Sequence, residues 1–294
     1  MIDFAALGIV INPHGPDEQR AACPRCDMKR HDETVGVNIR TGAFQCFRCK
    51  WKGRAGRESN ALPPPIRILD PAHAERKRER LRCVWSETFP LAHPKAHATR
   101  RYLIARGLAE ILAKPPEVLR AHPSLAYHEA GAVDRLPAMI GLFTGPSGDS
   151  VTLHATYLSP DGTTKASVRA PKKLLQVPTR GSTKGGAIRL YRAEHGVMGI
   201  AEGIETALSL MLLQRVPVWA AGSADALERV QLPRGLSRLY VAADIDASGK
   251  GEQAARTLAV RVRAWKPSAE VFIVTPDGEG TRDLNDELRR RLPG

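Results

Sequence analysis

Four short apolar runs mark the last hundred residues: GVMGIAE, VPVWAAG, RLYVAAD and EVFIVTP, each too continuous to leave one face in water. Between them IETALSLMLLQR, ADALERV and GEQAARTLAVRVRAW repeat their apolar positions at helical spacing. Buried strands alternating with helices predict a parallel α/β sheet over residues 196–294. Ligands of such sheets sit beyond the carboxyl ends of the strands. The first strand ends at Glu202 and the third at Asp244 and Asp246, so these carboxylates are expected at one edge.

Upstream the pattern changes. AMIGLFTG, VTLHATYLS, KASVRAP and AIRLYRA are rich in β-branched and aromatic residues and broken by Gly, Pro and Asp, which predicts strands. Two helices precede them, a charged one from about Glu75 (ERKRERLRCVWSETF) and KAHATRRYLIARGL, ending at Gly107. Residues 75–195 therefore form a mixed α+β subdomain. Residues 56–74 lack periodicity and hold three consecutive prolines, the composition of a linker. In residues 1–55, TVGVNIR alternates as a strand, Thr41-Gly42 turns the chain and AFQCFRC returns, a small β unit.

That small unit carries four of the five cysteines, Cys23-x-x-Cys26 and Cys46-x-x-Cys49. Two such pairs joined by a hairpin point four thiolates at one ion, the pattern of a structural zinc ribbon with no coordination position left for water. His31 is a further nitrogen nearby, but four cysteines already complete the set. Phe44 is expected to cover the metal site. Phe47 and Trp51, interleaved with Arg40, Arg48, Lys50 and Lys52, suit a face that stacks bases and meets phosphates. Cys83 stands alone and is expected to be a buried thiol.

Charge supports a polyanion partner. The chain of 294 residues has a formal net charge of +13. Lys and Arg against Asp and Glu give 18 − 11 = +7 for residues 1–100, 13 − 7 = +6 for 101–199 and 13 − 13 = 0 for 200–294. The front two thirds thus suit phosphates and the last third suits cations. No apolar run is long enough to span a membrane and the first residues do not form a secretion signal, so the expected location is the cytoplasm.

A basic run, Lys165, Arg169, Lys172, Lys173, Arg180 and Lys184, lies beside Gly185-Gly186, with Arg189 following. Together these suit a groove for a nucleic-acid backbone or a triphosphate. The stretch YVAADIDASGKG carries the chemistry of the last third. An EF-hand loop starting at Asp244 would need Glu where Ala255 stands, and a P-loop would need Ser or Thr where Gly251 follows Lys250. What fits is a Mg²⁺ site shared by Asp244, Asp246 and Glu202 with substrate phosphates.

IAEGIETAL, VAADIDASGKG and TRDLNDEL, in that order, resemble a Toprim domain, whose Rossmann-like parallel sheet matches the predicted one. With the Cys₄ ribbon upstream, the layout resembles the Toprim DNA primases of phages and mobile elements. The resemblance implies Glu202, Asp244 and Asp246 as catalytic and metal-binding residues, with Asp283 or Asp286 as a further acid. Primases often have an Asp a turn after the Glu-Gly; Glu205-Thr206 stand there, so Glu205 is the weaker carry-over. It also implies short RNA primers made on single-stranded DNA from nucleoside triphosphates with Mg²⁺ or Mn²⁺. Arg169, Lys172, Lys173, Lys184 and Arg189 would meet nucleotide or template, and Arg48, Lys50 and Trp51 single-stranded DNA. With no P-loop in the chain, a replicative helicase would be a separate protein. A Toprim nuclease and a non-catalytic zinc-ribbon binder of single strands are the alternatives.

Overall fold

The computed structural model describes residues 3–26, 33–55, 71–129, 132–179, 181–278, 280 and 282–292. The expectations for His31, Arg180 and most of the 56–74 linker lie outside these residues. The chain divides into two compact units, Met1–Ile68 and Leu69–Gly294.

The first unit is an antiparallel sheet of β1 (Glu18–Ala21), β2 (Val35–Asn38), β3 (Ala43–Cys46) and β4 (Lys52–Arg54), paired in chain order. The hairpin expected between the cysteine pairs is β2–β3, turning at Gly42 in the left-handed region (φ 75°), which favours glycine. Its core is small: Phe4, Ile9, Val35, Val37 and Phe44 pack with the buried Cys23, Cys26 and Cys46. So little apolar material is characteristic of a unit that leans on a metal.

The second unit holds two sheets. The first is antiparallel, with β5 (Phe89–Pro90), β6 (Leu119–Glu129), β7 (Ala132–Thr144), β8 (Ser150–Tyr157) and β9 (Lys172–Leu174) in chain order. Helices α1 (Pro71–Ser86) and α2 (His97–Ala105) accompany it. Helix α1 thus starts four residues before Glu75, where Ala72 and Ala74 favour helix. Strand β6 has no clear sequence signal because Pro123 interrupts it. The structure absorbs that proline at a register shift between His122 and Leu125. KASVRAP and AIRLYRA, expected as strands, make only isolated bridges. Those of AIRLYRA stitch the unit together, Ala187 bridging Thr144 of β7 while Ile188 bridges the second sheet. Cys83, expected buried, is exposed on the outer side of α1.

The second sheet is the predicted parallel one: β10 (Val197–Ala201), β11 (Val218–Ala220), β12 (Arg238–Ala242) and β13 (Glu270–Val274), in spatial order β11-β10-β12-β13, except that β13, expected to be buried, is an edge strand with Phe272 and Ile273 exposed. Its helices are α3 (Ile204–Gln214), α4 (Ala224–Arg229), α5 (Lys250–Trp265) and α6 (Leu284–Arg291). One hydrophobic cluster runs through both sheets of the unit. Leu103, Leu119, Met139 and Phe143 meet Ile204, Leu208, Val218 and Leu284 in it.

Strand β8 has two differently used faces, as its period of two requires. Leu153, Ala155 and Tyr157 pack towards α1, with Leu81, Val84 and Trp85. His154 and Thr156 face the other way, towards α3. Both are buried, and His154 Nδ1 and Thr156 Oγ1 have no hydrogen-bond partner. Burial, opposed by Glu205 and reinforced by Lys172, pushes the His154 imidazole down to about 4.

A Cβ on Gly251, in the first turn of α5, would lie 2.3 Å from the Asp244 carbonyl oxygen, whereas one on Gly235 meets nothing within 4 Å. Gly251→Ala should cost about 1–3 kcal/mol in urea denaturation, and Gly235→Ala less than about 0.5 kcal/mol. His154 takes up its proton in the unfolded chain near pH 6.5 but in the folded one only near 4. The unfolded state therefore binds more protons between these values, and the stability from neutral His154 is lost as pH falls through that window. Between about pH 7 and about pH 5 the loss from this group should be about 2 kcal/mol, and His154→Leu should flatten the profile by that amount.

Candidate functional site

In the first unit the four cysteine sulfurs all lie within 4.8 Å of one another. Cys23 Sγ is 3.7 Å from Cys49 Sγ, and Cys26 Sγ is 3.5 Å from Cys46 Sγ. These are far beyond a disulfide and near the sulfur–sulfur edge, about 3.8 Å, of a tetrahedron with zinc–sulfur bonds of about 2.3 Å. Burial pushes the Cys23 and Cys26 thiols up, Cys26 to about 12 with help from its neighbouring thiols. Cys46 goes the other way, to about 6: the Cys49 amide and the Thr34 hydroxyl outweigh its burial. Four sulfurs crowded to this spacing, one of them met by an amide and a hydroxyl, fit zinc.

Phe44 is buried in one cluster with Cys23, Cys26 and Cys46, as expected, and its ring meets Trp51 at a tilt of 57° with centroids 4.5 Å apart. Trp51 is half-buried under the Arg25 guanidinium, 4.2 Å from its ring centroid. Arg48 and Lys50 are exposed beside Cys49, and Phe47 is exposed with Arg20 over its ring. The unit thus carries two cation–aromatic pairs, Arg20 on Phe47 and Arg25 on Trp51.

In the second unit, β10 and β12 are neighbours in parallel register, Val197 opposite Arg238 and Ile200 opposite Val241. Equal progress along parallel strands brings Glu202 and Asp244 out at the same edge. Ile245 then bridges Arg282, which carries Asp283 to that edge as well. The like charges act on one another: burial raises Asp244 to about 7, helped by Asp283 and Glu202 and opposed by Lys172 and the Thr206 hydroxyl. Burial also raises Glu202, with Asp246 adding to it and Lys172 opposing it. Asp246 instead is lowered, because the hydroxyl and amide of Ser248 donate to its Oδ1 at 2.6 and 2.7 Å.

A hard divalent cation takes oxygen ligands, and Asp244 Oδ1 is a buried carboxylate oxygen with no donor. Ringed by like charge, it fits Mg²⁺ or Mn²⁺, with Glu202 and Asp246 as companions. Their oxygens are spread more widely than the cysteine sulfurs, which are the one group of three or more such ligands found within 4.8 Å among the described residues. Mg²⁺ keeps several waters and substrate oxygens, so a wide set suits it.

The remaining expected residues separate. Asp283 accepts from the Asn285 and Asp286 amides, and Asp286 returns its carboxylate to the Asp283 amide, closing a capping box on α6. Asp283 still faces Asp244, while the Asp286 carboxylate is engaged in the cap. Lys172 joins the acids, in the electrostatic field of Glu202 and Asp244. Lys173 does not: one residue on along β9 it points to the opposite face, its ammonium 3.6 Å above the Tyr127 ring. Arg189 is likewise turned away, donating to the Gly145 and Pro146 carbonyls over the Trp219 ring. Arg169 and Lys184 are exposed. Tyr102 and Lys165, by contrast, arrive at Glu205 beside the acids. Lys165 is marked in the sequence only as one of a basic run, and Tyr102 by nothing, since its contact spans 103 residues.

Comparison with known proteins bears on both halves of the second unit. Residues 75–190 match a domain of unknown function, DUF7146, and residues 197–294 match the Toprim domain. No curated protein matches the chain. Among solved structures it is similar to the zinc-binding and RNA polymerase domains of the Aquifex aeolicus primase, at 15% identity and a TM-score of 0.42 over 96% of this chain and 77% of that one. It is also similar to the DnaG catalytic core, at 15% identity and a TM-score of 0.45 over 74% and 75% of the two chains. A DNA primase domain from Pseudomonas aeruginosa is a third, at 16% identity and a TM-score of 0.41 over 75% and 73%. With its acids at the carboxyl ends of a parallel sheet and the domain match over the same stretch, the C-terminal part of this chain, residues 197–294, is a Toprim domain.

Proposed function

We propose that the chain is a DNA primase that makes short RNA primers on single-stranded DNA by metal-dependent nucleotidyl transfer. The observation that carries the proposal is Lys172 Nζ, 3.2 Å from Glu205 Oε2 and beside Gly203, within the field of Glu202 and Asp244 at the Toprim edge, in a chain that also carries four clustered cysteines. Carboxylates facing an ammonium group suit a substrate that brings both phosphate oxygens and a cation. A bound Mg²⁺ would supply charge neutralisation at the transferred phosphorus.

The chain's own residues divide the remaining work. Asp244 and Asp246 would ligate the ion, and Glu202 stands beside them to complete the acid set. Lys172 would meet the phosphate oxygens, and Arg169, exposed nearby in sequence, would meet the nucleotide or template backbone. Zinc would hold the ribbon folded, and its exposed Phe47, Arg48 and Lys50 would grip single-stranded DNA through stacking and phosphate contacts. The ordering of the ribbon before the catalytic unit gives template capture and chemistry to separate parts of one chain. No helix among the described residues is long and apolar enough to cross a membrane.

Purified protein given single-stranded DNA, Mg²⁺ or Mn²⁺ and labelled ribonucleotides should yield short products on a gel. Asp246→Asn should reduce them about a thousandfold, since several kcal/mol of charge stabilisation is lost. Its fold should survive, because the Asn amide oxygen can still accept from Ser248. Full activity in that variant would remove the assignment, and metal-dependent cutting of DNA without nucleotides would identify a nuclease instead. Cys46→Ser should lower bound zinc from one ion per chain to none in metal analysis and weaken single-stranded DNA binding, leaving the unfolding of the second unit unchanged.

A further inference from the structure

Glu205 lies three residues after Glu202, in the first turn of α3, and its side chain is 3% exposed. A carboxylate this deep persists only where its charge is met. Three donors from distant parts of the chain meet it. Tyr102 Oη, on α2, donates to Oε1 at 2.7 Å. Lys165 Nζ lies 3.5 Å from Oε1, and Lys172 Nζ, on β9, lies 3.2 Å from Oε2. Together they hold the carboxyl well below the usual carboxylate range, against its burial.

The cluster carries one negative and two positive charges, so it presents a net +1. It is also open on one side: the Lys165 and Lys172 side chains keep 33% and 40% of their surface accessible. Lys172 Nζ passes 3.5 Å from where a Cβ on Gly203 would stand, directly beside Glu202. It is therefore within the field of the Toprim acids. Even so, among the described residues its one ion pair is with Glu205. A lysine released from Glu205 would have Glu202 and Asp244 as alternative partners, and pairing with them would cancel the charge of both.

We propose that Glu205, with Tyr102, is a positioning residue that holds Lys165 and Lys172 as a fixed pair of ammonium groups for the triphosphate of an incoming nucleotide. The identity of the ligand rests on the primase reading; the holding of the lysines does not. In this arrangement Tyr102 fixes the carboxylate, the carboxylate fixes the lysines, and the lysines stay beside the metal-binding acids without collapsing onto them.

The sign of one mutation separates positioning from plain charge. Glu205→Gln removes a negative charge from a cationic site, so Coulomb's law alone predicts tighter binding of an anion. Positioning predicts weaker binding, because two flexible side chains lose their anchor. The experiment titrates the full chain with inorganic triphosphate and with ATP by calorimetry, in Mg²⁺ and without template. Adenosine serves as the ligand without phosphates. Glu205→Gln should weaken triphosphate and ATP about tenfold or more and leave adenosine unmoved. Tyr102→Phe, which alters no charge, should weaken both about threefold to fivefold.

Equal or tighter triphosphate binding by a folded Glu205→Gln variant overturns the inference. If that variant fails to fold, Tyr102→Phe decides, and unchanged triphosphate affinity there overturns it as well. A wild-type chain that binds no triphosphate also overturns it. A wild-type chain that binds triphosphate, loses that binding on these substitutions and makes no primer supports the inference and removes the primase reading alone.

Discussion

The parallel pairing of β10 with β12 is the constraint on which the second unit turns. Two parallel strands in near-equal register leave the sheet at the same edge, so the residues following them must share whatever space lies there. Here those residues are Glu202, Asp244 and Asp246, and the bridge from Ile245 to Arg282 adds Asp283. Backbone hydrogen bonds along the strands hold like charges together. The cost appears in the carboxyls themselves, with Asp244 raised to about 7 chiefly by its burial. The fold bears that cost with few local offsets: Lys172, the Thr206 hydroxyl, and a helix cap that occupies one face of Asp283.

Lys172 depends in turn on the antiparallel sheet. Strand β9 is only three residues long, and its register against β8 sets Lys172 opposite Thr156 and Lys173 opposite Ala155. Alternation does the rest, sending the first ammonium to the Toprim edge and the second over Tyr127. The shared hydrophobic cluster keeps the two sheets in contact, and the residues Ala187 and Ile188 bridge one to each. A polar layer survives between them because its buried carboxylate, Glu205, is paired by two lysines and a phenol, and the amide nitrogen of Asn285 donates to the Arg106 carbonyl and to Ser209. His154 and Thr156 lie in the same layer with a ring nitrogen and a hydroxyl unmet.

Much of this was legible in the sequence where the signal is local. The parallel strands announce themselves as continuous apolar runs, the hairpin of the ribbon by Thr41-Gly42, and the four-cysteine cluster by its spacing. Period-two alternation was less visible where turns intrude. Pro123 hid β6 inside a bulge, and KASVRAP and AIRLYRA have strand composition but spend it on single bridges. Cys83 looked apolar by its neighbours Leu81 and Val84, yet its position on α1 turns it to solvent. The partners of Glu205 were out of reach for a different reason. A Tyr on α2 and a Lys ahead of β9 meet a Glu on α3 only through the packing of two sheets, and no spacing rule connects residues that far apart. The basic run illustrates the limit: its members are adjacent in sequence, and one residue of strand register separates Lys172 from Lys173.

The two metal-type clusters of the chain differ in what their local surroundings do for them. In the ribbon, sulfurs 3.5 to 3.7 Å apart, a Cys49 amide directed at Cys46 Sγ and a Thr34 hydroxyl prepare a closed set, and an ion held there would add to a core with little apolar material of its own. The Toprim acids belong to a sheet whose core is large and apolar, so their geometry is set by strands and helices and not by an ion. An ion that is not needed for folding is free to come and go with a substrate, and carboxylates set apart leave room for ligands the substrate itself provides. A closed set of sulfurs on a small sheet therefore suits a metal that holds its part folded, and an open set of carboxylates on a large one suits a metal that arrives with a substrate.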